Sequence, residues 1–225
     1  MDWQALLLTG KLAAITTFIL LVIATPLAWW LATTRWRGAG WIEALLAMPL
    51  VLPPTVMGFY FLLAFSPSGA VGAWWLALTG EPLTFSFTAL VLASVVYSMP
   101  FAIQPLQAAF AGVGDSILEA GATLGASRLD RFFSLVLPLS TRGYLVAGVL
   151  SFAHTVGEFG VVLMIGGNIP GETRVVSIAL YEAVETLHYG SAHTMAAVLV
   201  GFSFLVLLVV YGLNRRLGFA LGRGA

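Results

Sequence analysis

The stretch from Leu12 to Thr33, LAAITTFILLVIATPLAWWLAT, decides the class of fold because it contains no charged residue. A helix of about 20 mainly apolar residues crosses the roughly 30 Å hydrocarbon core of a bilayer and satisfies its own backbone hydrogen bonds there. The run is too long for the apolar region of a signal peptide and has no small-residue cleavage site. We therefore predict a membrane-spanning helix that stays in the protein.

The composition of the whole chain agrees with this prediction. Of its 225 residues 60% are hydrophobic and only 9% are charged, whereas soluble domains carry about 25% charged residues. Ten basic and ten acidic residues cancel, which argues against binding to nucleic acid. There is no cysteine, which excludes disulfides, thiolate metal sites and cysteine nucleophiles.

Four further stretches are long and apolar enough to cross a membrane. The five predicted spans run from Leu12 to Thr33, Trp41 to Phe65, Phe87 to Phe110, Tyr144 to Ile165 and Ala192 to Leu213. We therefore predict an all-α, polytopic membrane helical bundle that forms one domain over residues 1–225. A short amphipathic helix from Arg174 to Leu187 is expected at the outer leaflet, because its apolar residues alternate with Glu182 and Glu185 at helical spacing.

The positive charges give the orientation, since cytoplasmic loops are enriched in Lys and Arg. Only Lys11 and Arg174 fall on one side of a five-span arrangement. The other side carries Arg35, Arg37, Arg128, Arg131, Arg142, Arg215, Arg216 and Arg223. We predict that the amino terminus lies outside and that the carboxyl terminus is cytoplasmic.

Prolines interrupt two spans. Pro49, Pro53 and Pro54 lie in the second span and Pro100 lies in the third, and each removes a backbone donor and bends the helix. Lipid cannot satisfy the freed carbonyls, so these spans should face the interior of the bundle. A static packing kink and a role in gating are both open.

The loop of residues 111–141 is the least membrane-like part of the chain, and its pattern predicts two short helices. Ser116 and Glu119 fit a capping box, with Asp115 as an alternative cap. Gly125 fits a left-handed helix terminator, and Ser127 can cap the second helix. Small residues let a partner's backbone approach closely, so the first helix could dock on another protein. The alternative is a connecting loop packed on the bundle.

The run from Glu119 to Ala126, EAGATLGA, continues through Arg128 and two phenylalanines to Leu137-Pro138. It resembles the EAA loop of bacterial ABC importer permeases. The resemblance implies that this loop is a coupling helix seated in a cleft of a cytoplasmic ATPase. The positions that it assigns to ATPase coupling are Glu119, Ala120, Gly121, Leu124, Gly125 and Arg128.

Three further segments resemble the oxyanion importers for sulfate and molybdate, namely VLPPTV from Val51, VGEFG from Val156 and NIPGETR from Asn168. The last of these, followed by Ala179-Leu180-Tyr181, is more similar to the molybdate permeases. The resemblance implies a multi-pass inner-membrane permease that imports molybdate by alternating access, with sulfate and tungstate as alternatives. It also implies two cytoplasmic ABC ATPase subunits, which bind the ATP and Mg, and an extracytoplasmic molybdate-binding protein.

Five spans are too few to enclose a pathway, which favours a homodimer with the pathway on its twofold axis. Within the fourth span, Glu158 is costly in lipid and should face the interior of the bundle. His154 precedes it by four residues, so the two share a helix face and could pair. With Pro53 and Pro54 they are candidates for the pathway or its gate, and the alternative is a buried structural pair.

Two other classes of protein, an intramembrane enzyme and a stand-alone channel or carrier, are alternatives to a permease. The chain has no Gly-x-x-x-x-Gly-Lys-Ser/Thr loop, so it needs a partner to hydrolyse ATP and binds no cofactor of its own. It also lacks His-Glu-x-x-His and Gly-x-Ser-x-Gly, which argues against an intramembrane enzyme. A stand-alone channel or secondary carrier is harder to exclude, although the predicted docking loop argues against it.

Overall fold

The computed structural model describes residues 2–221, but not the side chains of 210 and 213–221. Arg223 lies outside the described residues, and so do the side chains of Arg215 and Arg216. The described part contains twelve helices and no strand. They are α1 Trp3–Thr33, α2 Ala39–Ala47, α3 Pro54–Phe65, α4 Ala70–Thr79, α5 Phe87–Tyr97, α6 Met99–Ala111, α7 Asp115–Thr123, α8 Arg128–Leu139, α9 Thr141–Gly157, α10 Gly160–Gly166, α11 Val176–Glu185 and α12 Tyr189–Leu221.

Two helices in the described part of the chain are long and apolar enough to cross a membrane unbroken. They are α1 and the Tyr189–Val209 part of α12, and they confirm the first and fifth predicted spans. Three bent pairs, α2 with α3, α5 with α6, and α8 with α9, bring the number of possible spans among the described residues to five by length and composition. In the last pair only α9 overlaps the fourth predicted span, whereas α8 lies in the loop of residues 111–141. The all-helical membrane bundle predicted from the sequence is therefore confirmed.

The second predicted span is not one helix. A 3₁₀ turn over Met48–Leu50 follows α2, and α3 is bent by 106° from the combined segment Ala39–Leu50. The prediction of a kinked but continuous helix from Trp41 to Phe65 is wrong. The physical reason is the pair Pro53-Pro54: Pro53 is extended at ψ 136° and neither residue has an N–H to continue the helix. The third span, by contrast, bends by 42° beside Pro100, as expected.

The fourth predicted span, from Tyr144 to Ile165, is also broken. Helix α9 ends at Gly157, Glu158 is extended at ψ 131°, and α10 begins at Gly160. Glycines on both sides of Glu158 weaken the helix there. The break lets α10 leave α9 and pack on α3 and α5.

The centre of the bundle is formed by α1, α6 and α9, which pack against one another. Leu20, Leu106 and Ala147 are fully buried there. Gly143 lies so close to Ala109 of α6 that a side chain on Gly143 would collide with it. Small residues therefore set the distance between α6 and α9, as is common in membrane helix packing.

Helix α11 confirms the predicted amphipathic helix. Its apolar face, with Val176 and Ala183, packs on Ala5 of α1 and Met195 of α12 in a separate small core. The hydroxyl of Thr9 in α1 accepts a hydrogen bond from the Val176 N–H at 2.8 Å. The beginning of α11 is thereby fixed to α1.

Candidate functional site

The first helix of the loop, α7, begins differently from the prediction. Its N-cap is Gly114 at φ +77°, which offers no side-chain cap. The capping box of Ser116 with Glu119, and the alternative cap Asp115, are therefore wrong, since both Asp115 and Ser116 lie inside the first turn. Gly114 changes the direction of the chain after α6 in a conformation that a capping serine would not adopt. Asp115 still interacts favourably with the positive end of the dipole of α7, because it lies in the first turn.

The other end of α7 confirms the prediction that Gly125 terminates the helix. Gly125 is left-handed at φ +84°. Its N–H donates to the carbonyl of Ala122 at 2.9 Å, and the N–H of Ala126 donates to that of Gly121 at 3.1 Å, which is the Schellman pattern. Ser127 then caps α8, as predicted, by accepting a hydrogen bond from the Asp130 N–H at 3.1 Å.

Helix α7 is held against α8. The Arg131 guanidinium donates to the carbonyl of Leu118 at 3.0 Å. Gly121 faces inward, since a side chain there would meet Leu135 and Arg131 at 3.0–3.2 Å. The close approach that Gly121 permits is therefore to α8 of the same chain.

Aromatic side chains connect α8 to the bundle. The Phe132 ring lies 5.6 Å from the Trp29 ring of α1 and 6.0 Å from the Phe110 ring of α6. Both neighbours belong to predicted spans. A force applied to the loop would therefore reach two helices of the central bundle directly.

One surface of this loop is exposed to solvent. Glu119, Ala120, Leu124, Gly125 and Arg128 are all solvent-accessible, and together we call them the docking surface. Leu124 is 88% exposed. Leu129, five residues further along the chain, is 72% exposed.

A second group of polar residues lies inside the bundle. The Ser94 hydroxyl donates to Glu158 Oε2 at 2.8 Å, and the Ser177 hydroxyl donates to the backbone carbonyl of Glu158 at 2.6 Å. The Ser98 hydroxyl lies 2.8 Å from His154 Nδ1. Glu158 is 4% exposed.

These contacts overturn the predicted pairing of His154 with Glu158. The carboxylate leaves the helix face because α9 ends at Gly157, and each residue binds its own serine, Ser98 for His154 and Ser94 for Glu158. Ser98 lies at the bend between α5 and α6, and Glu158 lies at the break between α9 and α10. The polar group therefore ties two interrupted helices together.

The break at Pro53 and Pro54 lies close to the break at Glu158. A side chain on Gly160 would come within 2.8 Å of Pro54, and one on Gly58 would come within 2.8 Å of Met164. Glycines on both helices thus let α3 and α10 pack closely. Of the predicted pathway residues, Pro54 makes this contact and Pro53 directly precedes it. Glu158 lies two residues before Gly160, and His154 lies a turn before Glu158 on α9.

Ser94, Ser98 and Ser177, the hydrogen-bond partners of His154 and Glu158, were not predicted from the sequence. A signal was available: Ser94 and Ser98 are four residues apart, as are His154 and Glu158, so two helices packed side by side could match both pairs.

In the described part, no group of three or more His, Asp or Glu residues could hold a metal ion.

Comparison with known proteins identifies the family. Residues 14–219 match the family described as the binding-protein-dependent transport system inner membrane component. The chain belongs to this family. It is thus a transport permease subunit of the inner membrane, and the docking surface and the broken helices are parts of a permease.

Several curated permeases are similar along most of their length. A molybdenum transport system permease of Azotobacter vinelandii is 52% identical over 95% of this chain and 95% of its own. The molybdenum permease of Escherichia coli is 36% identical over 82% of this chain and 81% of its own. A sulfate transport permease of Escherichia coli is 34% identical over 88% of this chain but 71% of its own.

Solved permease structures share the fold. A bacterial alginate ABC transporter, in complex with a periplasmic protein that carries an alginate pentasaccharide, matches with a TM-score of 0.76 at 15% identity. The match covers 95% of this chain and 78% of that one. An amino acid ABC transporter matches with a TM-score of 0.62 at 15% identity. At these identities the likeness concerns the fold alone.

Proposed function

We propose that this chain is the permease subunit of an ATP-driven importer that moves molybdate across the inner membrane. The observation that carries the proposal is the similarity to a molybdenum permease, at 52% identity over nearly the whole of both chains. The sulfate permeases are less similar and extend beyond the match. The oxyanion segments that start at Val51, Val156 and Asn168 support the same substrate class.

The energy comes from two cytoplasmic ABC ATPase subunits, which bind the ATP and the Mg. The docking surface supports this part of the proposal, because it presents the apolar Leu124, which is 88% exposed. Burying a leucine stabilises a complex by roughly 1.5–3 kcal/mol. The exposed Glu119 and Arg128 flank it and add hydrogen-bonding groups for the partner.

The chain works as a homodimer, with the pathway on the twofold axis. Exposed apolar side chains on the second span support this arrangement, among them Val51 at 85% and Tyr60 at 63% exposed. They lie on either side of Pro53 and Pro54, next to the α3–α10 contact. A second copy would cover them and would place the broken helices of both subunits along one path.

The amino terminus lies outside and the carboxyl terminus lies in the cytoplasm. The distribution of arginines supports this orientation, since Arg128 and Arg131 of α8 and Arg142 at the start of α9 then face the ATPase. A molybdate-binding protein outside supplies the substrate. High-affinity capture belongs to that protein, because the predicted spans contain no Lys or Arg that would hold a dianion tightly.

Transport proceeds by alternating access. When two ATPase subunits close on ATP, they displace α7, and α8 passes the movement to α1 and α6 through Phe132. The dimer then opens outward and accepts molybdate from the binding protein, and hydrolysis returns it to the inward state. Glu158 is held by serines of other helices, so we assign it to the connection between moving segments and not to anion binding.

Uptake by proteoliposomes tests the function. The permease, its ATPase and its binding protein are reconstituted, and the uptake of molybdate, tungstate and sulfate is measured with and without ATP. We expect ATP-dependent molybdate uptake that needs the binding protein. Preferred uptake of sulfate would overturn the substrate, and equal uptake without ATP would favour a channel or a secondary carrier.

A further inference from the structure

An apolar groove runs along the outside of the bundle between α1 and the α8–α9 pair. Its walls include Phe18, Val22 and Trp29 on one side and Leu129 and Phe133 on the other. The cavity volume is about 740 Å³. None of its lining residues belongs to α3 or α10, the helices that we place along the transport path. We call it the α1–α8 groove.

The length of the groove fits one leaflet of a bilayer. From Phe18 to Trp29, α1 rises about 16 Å, and half of the hydrocarbon core is about 15 Å. In the proposed orientation α1 descends toward the cytoplasm, so Val22 lies at the middle of the predicted span from Leu12 to Thr33, and Phe18 lies about 6 Å further toward the outside. Trp29 lies near the inner headgroups, a depth at which tryptophan is enriched.

The walls and the end of the groove differ in chemistry. Phe18, Val22 and Phe133 are 70%, 58% and 61% exposed, so an extended hydrocarbon chain could cover them. The lining includes Arg128, the first residue of α8, which lies one helical turn before Phe132. Phe132 packs on Trp29, the cytoplasmic limit of the groove on α1. A guanidinium forms charge-assisted, often bidentate hydrogen bonds with phosphate oxygens. An apolar groove of leaflet length that ends at an arginine therefore matches a molecule with an acyl chain and a phosphate.

We propose that the α1–α8 groove binds an anionic phospholipid of the inner leaflet, with an acyl chain along α1 and its phosphate at Arg128. The inference rests on the cytoplasmic placement of α8 in the proposed function. The bound lipid connects α1 to the start of α8, where the docking surface ends. It would thus be a third component of the coupling region, beside the permease and the ATPase.

Photochemical labelling of the full chain in vesicles tests the proposal. The vesicles contain phosphatidylcholine and a minor fraction of phosphatidylglycerol that carries a photoreactive acyl chain, and adducts are mapped by mass spectrometry. We expect adducts on α1 between Phe18 and Trp29. Arg128→Gln should reduce them about fivefold, the contribution of one arginine to anionic lipid binding, and Val22→Trp should remove them by filling the groove.

Arg37→Gln is the matched control, since it removes one positive charge on the same side of the membrane from a residue outside the groove lining. It should leave the adducts unchanged. The proposal fails if Arg128→Gln labels like the wild type, if photoreactive phosphatidylcholine labels the groove equally, or if the groove yields crosslinks between two copies of the chain. Labelling needs no ATPase and no substrate, so its failure is distinguishable from failure of molybdate uptake.

Discussion

Replacing Gly125 with valine should uncouple the permease from its ATPase. Gly125 adopts φ +84°, and an added Cβ would meet nothing within 4 Å. The substitution is therefore opposed by backbone conformation and not by crowding within the chain. A left-handed L-residue costs about 1–2 kcal/mol, and a β-branched residue is especially unfavourable there. The exposed end of α7 has few contacts with which to offset this cost.

The expected effect is a five- to thirtyfold loss, the ratio of populations that corresponds to about 1–2 kcal/mol. The loss should appear in the affinity of the nanodisc-embedded permease for its ATPase and in the ATPase rate that the permease stimulates. Membrane insertion should be unchanged, since no span is touched.

Two control variants separate the possible causes. Gly80 is left-handed at φ +77° at the end of α4, also in open space, so Gly80→Val carries the same backbone cost on the opposite face and should leave ATPase binding intact. Gly125→Asn adds a side chain that tolerates the left-handed conformation and should retain much of the binding. Full affinity and full stimulated turnover in Gly125→Val would refute the reasoning.

Three further substitutions follow from the structure. Leu124→Ser removes the exposed leucine of the docking surface and should weaken ATPase binding at least tenfold, because burying a leucine contributes roughly 1.5–3 kcal/mol. Unchanged affinity by titration would contradict the docking role. Glu158→Gln keeps an acceptor for the Ser94 hydroxyl, whereas Glu158→Leu does not. Only the leucine variant should therefore lose about 1 kcal/mol of unfolding free energy, measured by thermal unfolding. Equal melting temperatures of the two variants would exclude the proposed connection. Gly143→Leu would collide with Ala109 and should destabilise the bundle by about 1–3 kcal/mol. Gly201→Leu places the same side chain in open space and should not destabilise it. Equal yields of monodisperse protein from the two variants would contradict the packing of α6 on α9.

The straight spans and the loop helices could be predicted because their signals are local. An uninterrupted apolar run suffices for α1, and a glycine at the end of a short periodic segment suffices for the end of α7. The start of α7 was mispredicted because Ser116 and Glu119 fit a capping box, while the preceding Gly114 supplies the turn. Two neighbouring signals competed, and the backbone freedom of glycine decided the outcome.

The breaks in the second and fourth spans depend on contacts that hydropathy does not contain. A proline predicts a bend in a helix but not the angle of the bend. The 106° turn at Pro53 also depends on the packing of α3 on α10. Glu158 lies beyond the end of α9, where Ser94 and Ser177 of other helices bind it. Those partners are distant in sequence, so helical spacing within one span gave the wrong pair.

Labelling at position 119 tests most directly whether the docking surface faces the cytoplasm and binds the ATPase. The 225 residues contain no cysteine, so Glu119→Cys supplies a single thiol for a reagent that does not cross membranes. We expect labelling in inverted vesicles, none in intact cells, and protection of the thiol when the ATPase is bound. Labelling of intact cells from outside would contradict the orientation, the docking surface and the proposed coupling together.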